Sequence, residues 1–379
     1  MERIASEPRA NWQQAVEARG LKWHTGATPY WSEDAYYRFT TAEIDAVERA
    51  TGELHERCLE AVQHVIDEDR YDELKIPRQA VPLIERSWNE EPPSIYGRFD
   101  LAYDGASPPV MLEYNADTPT ALLETSVIQW DWLEELHNGA DQFNSIHERL
   151  VAVWRDVAPC LANSGPLGPL VHFASMDDIE DGMTTAYLAE TAVQAGLRAQ
   201  LIAIEDIGWD PQAREFADLS NARVDTLFKL YPWEWIVNEP FAQFIPKAKM
   251  RFIEPAWKMV LSNKGILAVL WDLFPDHPNL LPAYFDEPRG MFEYAKKPLL
   301  SREGANVTIH TMKEHLVSTG EYGAEGYVFQ QLAPIPSFDG KRPVIGSWII
   351  GQEPGGMGVR EADSWVTGNT SRFVPHLFR

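Results

Sequence analysis

The segment of residues 94–115 constrains the fold most strongly, because it predicts a β-hairpin that carries polar side chains at matched spacing. Residues 94–103 alternate polar and apolar side chains, as a strand does. Residues 104–109 contain the Asp, Gly, Ser and Pro that are typical of a turn, and residues 110–115 read as the return strand. The sequence therefore predicts a long-looped hairpin.

Four polar residues lie at two-residue spacing on this hairpin. Arg98 and Asp100 share one face of the first strand, and Glu113 and Asn115 share one face of the second. If the register brings these faces together, a guanidinium, two carboxylates and an amide oxygen converge. Magnesium prefers oxygen ligands of this kind, and an arginine can bind phosphate with two donors. The alternative interpretation is a salt-bridge cluster on the protein surface.

Two lysines lie next to segments that could contact phosphates. Lys297 ends a predicted strand and precedes residues 301–307, a short glycine-bearing loop suited to closing over phosphates. This loop lacks the pattern of a P-loop. Lys264 lies in a loop before a helical segment, and either lysine could instead be solvated surface, as we expect for Lys296. Residues 330–334 end a strand where backbone groups could meet an adenine edge.

The rest of the chain predicts a mixed α/β class without an obvious cut point. Thr40 and Glu43 have the spacing of a capping box at the start of a helix. Residues 170–230 have the pattern of a βαβ unit, with a helix over 184–195. Residues 355–361 are a glycine stretch that is either a flexible loop or a hairpin turn. Further strands are predicted at residues 294–299, 306–310, 327–332 and 344–350.

The charge balance excludes some partners. The chain has 33 Lys and Arg against 57 Asp and Glu, a net charge of -24, which disfavours nucleic-acid binding and attracts small cations such as polyamines.

Its two cysteines, Cys58 and Cys160, are too few for a disulfide framework. With no signal-peptide pattern and no long apolar run, we expect a cytoplasmic protein that does not contact membranes.

Three segments together closely resemble the glutathionylspermidine synthase family: residues 96–100, 112–120 and 297–307. Residues 373–376 also resemble the C-terminal signature of that family, so the resemblance covers essentially the whole chain. It implies an α/β (α+β) fold, in which ATP-grasp lobes clamp ATP beside a pre-ATP-grasp substrate domain. We expect one catalytic unit over residues 1–379. Its approximate parts are an N-terminal arm and helix (1–93), the metal hairpin and βαβ region (94–230) and the ATP-grasp lobes (231–379).

The resemblance also implies a reaction and its residues. The reaction is ATP- and Mg²⁺-dependent formation of an amide bond between an acid and an amine, through an acyl-phosphate. Asp100, Glu113 and Asn115 match the metal ligands, and Arg98 matches the catalytic arginine at the phosphates. The ATP-binding positions are Arg98, Lys264, Lys297, Glu303, Gly304, Gln331 and Leu332. The substrate positions are Thr118, Glu180 and Asp181, with Asp177 and Asp178 as neighbouring alternatives.

One departure from the family pattern affects the substrates. Bifunctional members carry an N-terminal Cys/His amidase domain, whereas the ligase motifs here begin near residue 96. We therefore expect a stand-alone acid–amine ligase. Its substrates are a small-molecule or peptide carboxylic acid and an amine, with polyamines as one candidate and glutathione and spermidine not assumed.

Two other functions remain open at this point. One is a non-catalytic ATP-binding or scaffold protein derived from the ligase fold, against which the intact set on the hairpin argues. The other is a glycoside hydrolase that uses an Asp/Glu pair with aromatic subsites. The hydrolase leaves both Lys264 and Lys297, and the loop at Gly304, without a role.

Overall fold

The computed structural model describes residues 1–26, 28–161, 168–368 and 371–379 of a mixed α/β protein. Its helices are α1 (Trp12–Ala18), α2 (Thr41–Asp67), α3 (Val81–Glu90), α4 (Gln129–Leu136), α5 (Ile146–Val157), α6 (Ile179–Gln194), α7 (Trp233–Ile236), α8 (Lys258–Ser262) and α9 (Ile266–Leu273). Among the described residues, no helix is long and apolar enough to span a membrane.

The strands belong to several sheets, and strands that are distant in sequence often join the same sheet. They are β1 (Glu2–Ala5), β2 (Ala35–Phe39), β3 (Tyr96–Ala102), β4 (Val110–Asn115), β5 (Leu170–Ser175), β6 (Arg198–Ala203), β7 (Gly208–Asp210), β8 (Glu215–Ala217), β9 (Thr226–Leu230), β10 (Arg251–Ile253), β11 (Ala283–Tyr284), β12 (Tyr294–Pro298), β13 (Thr308–His310), β14 (His315–Val317), β15 (Tyr327–Gln331), β16 (Arg342–Ile350), β17 (Glu353–Ala362), β18 (Arg372–Val374) and β19 (His376–Phe378).

The predicted hairpin is confirmed as β3 and β4, which pair antiparallel. It forms one side of a five-stranded sheet with the order β18-β17-β16-β3-β4. Every residue of β3 is buried, because β3 pairs with β16 on its other side and both of its faces are covered. The hairpin is therefore held inside the molecule rather than at its surface.

The predicted βαβ unit is also confirmed, as β5, α6 and β6, and it belongs to a parallel sheet with the order β10-β9-β5-β6. Helix α6 begins at Ile179, earlier than residue 184. The reason is a cap: the Asp178 side chain accepts hydrogen bonds from the backbone N–H groups of Glu180 (2.9 Å) and Asp181 (3.2 Å). The first turn therefore presents two carboxylates at its start.

Residues 355–361 form neither a flexible loop nor a hairpin turn, so that prediction is wrong. They lie within β17, which pairs with β16 and β18. The glycines are needed for close packing: a Cβ at Gly358 would lie 2.5 Å from the ring of Phe373 and 2.9 Å from the hydroxyl of Thr125. Glycine at this position indicates close approach of neighbouring side chains rather than a turn.

A second five-stranded sheet, with the order β11-β15-β12-β13-β14, lies against the hairpin and carries the predicted strands of residues 294–332. Side chains on β12 and β15 donate hydrogen bonds to the backbone of β4: Lys297 to the carbonyl of Leu112, and Gln330 to that of Met111. A cleft lies between this sheet and the sheet of the hairpin, and both sheets contribute to its lining.

Candidate functional site

The register of β3 and β4 brings the four polar hairpin residues together. Arg98 lies opposite Asn115, and Asp100 lies opposite Glu113. Arg98 Nε donates to Asp100 Oδ1 at 2.8 Å, and Asn115 Nδ2 donates to Glu113 Oε1 at 3.1 Å. Two carboxylates, a guanidinium and an amide therefore share one face of the hairpin.

Cations from other elements complete this group. Arg360 on β17 lies with Nη2 2.7 Å from Asp100 Oδ2, and Lys264 Nζ lies 2.9 Å from Glu113 Oε2. Burial alone would raise the pKa of Glu113, but the charges of Lys264 and Lys297 outweigh it and hold that pKa well below its usual range. Glu113 is therefore ionised at neutral pH.

Lys297 is buried and points into the cleft. Its Nζ donates to the Leu112 carbonyl and to Gln330 Oε1, both at 2.7 Å. Burial lowers the pKa of Lys297 to about 8, against the opposing effect of Glu113. Lys296 faces the other way, with its Nζ 3.8 Å from the ring centroid of Tyr327. Alternation along the strand thus places only one of the two lysines in the cleft.

The cleft has a polar end and an apolar slot, in a space of about 660 Å³. Asp100, Glu113, Lys264 and Lys297 lie at the polar end. Small-molecule pockets are commonly apolar with a few converging polar groups, and this arrangement suits a base with attached phosphates. The apolar walls are formed by Leu112, Ala295, Val307, Ile309, Leu332, Ile335, Val344, Trp365 and Val366.

Gln331 and Leu332 both line this cleft, but they are less buried than their neighbour Gln330. Gln331 is exposed, and its backbone N–H donates to the Pro282 carbonyl at 2.8 Å. The N–H of Leu332 donates to Glu293 O at 3.1 Å. Of the two glutamines, Gln330 is the one with a buried side chain: it is 2% exposed and accepts a hydrogen bond from Lys297 in the cleft.

A second pocket of about 760 Å³ adjoins the first and shares walls with it at Glu113, Lys264, Gly304 and Thr367. Its character is different, because its lining is strongly charged. Additional lining groups are Arg98, Asn115, Thr118, Thr120, Glu234, Arg302, Glu303 and Arg360.

Thr118 is held inside this second pocket by Arg302. Both terminal nitrogens of Arg302 donate to Thr118 Oγ1 at 3.1 Å, and Arg302 Nη2 lies 3.0 Å from Glu234 Oε1. An arginine beside a hydroxyl in a charged pocket can bind a carboxylate with two donors.

The loop of residues 301–306 joins the two pockets. Lys264 Nζ donates to the Ser301 carbonyl at 2.6 Å, so the loop is tied to a lysine of the cleft. Glu303 and Gly304 have positive φ angles of 54° and 68°. A Cβ at Gly304 would lie 2.4 Å from Val366 Cγ1 and 2.8 Å from the Thr367 carbonyl oxygen, so only glycine fits there.

Carboxylates crowd together at the start of α6. Burial, followed by the charge of Glu124, raises the pKa of Glu180 to about 8. Burial, followed by Asp178, raises the pKa of Asp181 to about 6. Glu303 adds to both effects. Crowded carboxyl groups of this kind gain stability when a cation binds between them. Asp178 serves as the helix cap.

Sequence reasoning missed several residues of the site, namely Gln330, Arg302, Arg360 and Glu124. Arg360 was hidden because its segment resembled a turn, and it reaches Asp100 only through the pairing of β17 with β16 and of β16 with β3. Glu124 is buried in a π-helical turn (Glu124–Ile128) and accepts a hydrogen bond from the Tyr30 hydroxyl at 2.8 Å. We know of no sequence pattern that would have predicted the last contact.

The donor chemistry of the hairpin fits a hard divalent cation. Within the described residues, no group of three or more His, Cys, Asp and Glu side chains is arranged to hold a metal. Asp100 and Glu113 provide only two carboxylates, with the amide oxygen of Asn115 as a third donor. Magnesium commonly takes one or two carboxylates and completes its shell with water and substrate phosphates, so this incomplete protein set is compatible with it.

Comparison with known proteins finds a matching family model and several similar proteins. A family model described as "Glutathionylspermidine synthase preATP-grasp" matches residues 3–379. A protein of Haemophilus influenzae with the name "Putative acid--amine ligase" is 45% identical over 363 residues, covering 92% of this chain and 91% of that protein.

A more distant relative and a solved structure extend the comparison. Trypanothione synthetase of Crithidia fasciculata is 33% identical over 351 residues, covering 85% of this chain but 53% of the relative, about half of its length. A glutathione synthetase-like effector of Globodera pallida, solved in its apo form, has a TM-score of 0.58 and 9% identity, covering 99% of this chain and 98% of that one. This last likeness concerns the fold alone.

Proposed function

The chain belongs to the glutathionylspermidine synthase family of ATP-dependent amide-bond ligases, and we propose that it joins a carboxylic acid to an amine through an acyl-phosphate. One observation carries the proposal: Asp100, Glu113, Lys264 and Lys297 meet where an apolar cleft opens into a charged pocket. A nucleotide in the cleft would present its phosphates to a substrate in that pocket.

The reaction needs an activated acid, because a free carboxylate has no good leaving group. A carboxylate oxygen attacks the terminal phosphorus of ATP and ADP leaves. The amine nitrogen then attacks the acyl carbon, phosphate leaves, and the nitrogen loses a proton. Phosphoryl transfer depends mainly on positioning and on stabilisation of negative charge. Four cationic groups around the hairpin can do this: Arg98, Arg360, Lys264 and Lys297.

Asp100, Glu113 and Asn115 are the residues that would hold Mg²⁺. Bound there, the ion would add positive charge next to the phosphates of ATP. Asp100 and Glu113 already contact cationic side chains, so we propose that these side chains and the ion share the two carboxylates when ATP is bound.

We assign the charged pocket to the two organic substrates. Arg302 and Thr118 are suited to bind a carboxylate, because the guanidinium offers several donors beside a hydroxyl. Glu180 and Asp181 do not line this pocket, but burial and the charge of Glu303 in its wall raise the pKa of both, and we propose that they bind the amine beside it. With a pKa of about 8, Glu180 is mostly protonated at neutral pH in the free protein. A bound ammonium group would favour its ionised form, in which Glu180 is able to take the proton that the amine loses.

The loop at Gly304 is proposed to protect the activated acid. It lies on the boundary of both pockets and is tied to Lys264 through Ser301. A loop that excludes water from such a site prevents hydrolysis of a reactive intermediate. Glu303 belongs to the same loop, and we propose that Gln331 and Leu332 contact the base from the edge of the cleft.

The test is a condensation assay with the purified chain, ATP, Mg²⁺, pooled carboxylic acids and pooled amines, with polyamines included. We expect ADP and phosphate release to require both an acid and an amine, and we expect mass spectrometry to detect the amide. Hydroxylamine should intercept the activated acyl group as a hydroxamate. AMP and pyrophosphate as products would overturn the acyl-phosphate. ATP binding without any turnover would favour the non-catalytic alternative.

Three broader assignments accompany this function. We propose a cytoplasmic location, which is supported by the use of ATP. We propose no nucleic-acid partner, which is supported by the net charge of -24. The division of the unit near residues 93 and 230 also remains a proposal.

A further inference from the structure

A buried carboxylate, Asp117, lies between the hairpin of β3 and β4 and Thr118, a lining residue of the charged pocket. It follows β4 by two residues and precedes Thr118, and it is 1% exposed. Its Oδ1 lies 2.5 Å from the Nζ of Lys229, whose side chain is fully buried on β9 of the parallel sheet. Such a pair is costly to bury, and it is retained only where its geometry is well satisfied.

Two further hydrogen bonds fix Asp117 from other elements. Its Oδ2 accepts from the backbone N–H of Trp233, the first residue of α7, at 2.9 Å. Its own backbone N–H donates to Ser262 Oγ at 3.0 Å. Ser262 ends α8 and lies two residues before Lys264. One residue therefore connects the parallel sheet, the start of α7 and the segment that carries a cleft lysine.

The residues next to each contact belong to the candidate site. Thr118 accepts hydrogen bonds from Arg302, and Glu234, directly after Trp233, forms an ion pair with the same arginine. The carbonyl of Thr120 accepts from Arg98 Nη1 at 2.6 Å. A shift of Asp117 would therefore move both partners of Arg302 and one partner of Arg98.

We propose that Asp117 and Lys229 form a positioning pair that sets the distance between the acid pocket at Arg302 and the phosphate-binding cleft at Lys264. The pair touches neither substrate. It acts through Thr118 and Thr120 on one side and through Trp233 and Ser262 on the other. Phosphoryl transfer needs the attacking carboxylate in line with the phosphorus, and a misplacement of about 1 Å can cost about 10²-fold in rate.

This inference rests on the proposed ligase function, and the test separates the two. The wild-type chain is first assayed for hydroxamate formation with Mg²⁺-ATP, hydroxylamine and the acid that gives most product in the condensation assay. No product with any acid contradicts the ligase function itself. Product from the wild type allows the positioning pair to be tested with variants.

The main variant is the double substitution Asp117→Asn with Lys229→Met, which replaces the ion pair by neutral groups of similar size. Removing both charges leaves no unpaired charge in the interior, so we expect the variant to fold and to unfold in a cooperative thermal transition. We expect the KM for the acid to rise about 10-fold or more, because the acid pocket is displaced. The Kd for ATP should change by less than about 3-fold, because the cleft residues are untouched.

The matched control is the pair Arg9 and Glu33, which is also buried and lies 2.6 Å apart. The further partners of this pair are Glu135 and Trp31, which are not residues of the candidate site. We expect Arg9→Met with Glu33→Gln to leave the KM for the acid unchanged, whatever its effect on Tm. Wild-type kinetics in the Asp117/Lys229 variant would overturn the proposal. So would acid KM, ATP Kd and Tm changing together, because that pattern indicates a purely structural role.

A milder variant keeps the proposal testable if the double variant does not fold. Ser262→Ala removes the hydrogen bond from the Asp117 N–H and, with it, one hydroxyl from the lining of the charged pocket. We expect an unchanged Tm and a decrease of about 3-fold or more in kcat/KM for the acid, with ATP Kd unchanged. An unchanged kcat/KM in a folded Ser262→Ala variant would contradict the positioning role.

Discussion

Asp100 and Glu113 lie directly opposite each other on β3 and β4, yet their carboxylates contact different cations. Asp100 is held by Arg98 and Arg360, and Glu113 is held by Lys264. The two carboxylates therefore stay close without strong mutual repulsion, since each lies beside a positive charge of its own.

Removing either carboxylate should stop turnover. We expect Asp100→Asn or Glu113→Gln to reduce ADP release by about 10²-fold or more, because each contributes to charge stabilisation around the phosphates. The thermal unfolding curve should remain cooperative. Asp363→Asn is a suitable control, since Asp363 pairs with Lys341 at the surface. Full ADP release by either folded site variant would contradict the metal-site assignment.

The two adjacent lysines of β12 should behave differently. Lys297→Met should weaken ATP binding by about 10-fold or more, because a buried cation facing the cleft is lost. Lys296→Met should leave ATP binding within about 2-fold of the wild type, since the Lys296 ammonium lies over the rings of Tyr327 and Phe329 on the opposite face. Isothermal titration with ATP distinguishes these results, and the opposite ranking would show that Lys296 faces the phosphates.

ATP affinity should depend on pH through Lys297. Burial lowers the pKa of this lysine to about 8, so it carries its charge below that pH and loses it above. We expect the Kd for ATP to rise as the pH increases from 7 to 9. The Lys297→Met variant should lack this step in the same titration series. A wild-type Kd that stays constant over the range would exclude Lys297 as the titrating group.

Stability should depend on pH through Glu180. Its pKa lies near 4.5 in an unfolded chain and about 8 in the folded protein, so folding takes up a proton between these values. The free energy of unfolding therefore falls as the pH rises through this window. Glu180→Gln removes the effect and should raise Tm by about 2 °C or more at pH 8, with a smaller change at pH 5.

The control for this prediction lies on the same helix. Glu190→Gln changes an exposed residue of α6 and should shift Tm equally little at both pH values. A Glu180→Gln variant with the same Tm difference from the wild type at pH 5 and pH 8 would show that Glu180 is ionised throughout.

Gly304 should not tolerate a side chain. Gly304→Ala adds a Cβ that clashes with Val366 and Thr367 at a residue with positive φ, so we expect a displaced loop and ADP release reduced by about 10-fold or more. Gly290→Ala is the control. Gly290 has a similar φ of +85°, but a Cβ added there lies within 4 Å of no other atom, so this variant shows the effect of backbone strain without a steric clash. Equal activities of both variants would contradict the role of close packing at Gly304.

The hairpin could be predicted because its alternation, turn and polar spacing are all local features. The residues Arg98, Asp100, Glu113 and Asn115 follow from that pattern, and pairing register then determines their neighbours. The βαβ unit was equally predictable, since apolar strands flank a helix with a glycine after its end. Whether these residues bind metal and ATP stays a prediction.

Other parts of the site depend on contacts between distant segments. Arg360 reaches Asp100 only because β17 joins the sheet through β16, and its glycines resemble a turn when read alone. Gln330 is distinguished from Gln331 by which face of β15 meets the cleft. The link from Asp117 to Lys229 joins residues from different sheets, and no local pattern connects them.

The pairing of β3 with β16 has a consequence for synthesis of the chain. Asp100 pairs with Gly346 in the finished sheet, and Gly346 comes much later in the sequence. The hairpin therefore leaves the ribosome long before its neighbouring strand β16 does. Until β16 arrives, β3 has an unpaired edge with apolar side chains, and Asp100 lacks Arg360. Domains generally fold as units during translation, and unpaired strand edges favour aggregation. The hairpin residues that we propose to hold the metal and the phosphates are thus translated early but assembled late, and the nascent chain must keep this edge protected in the interval.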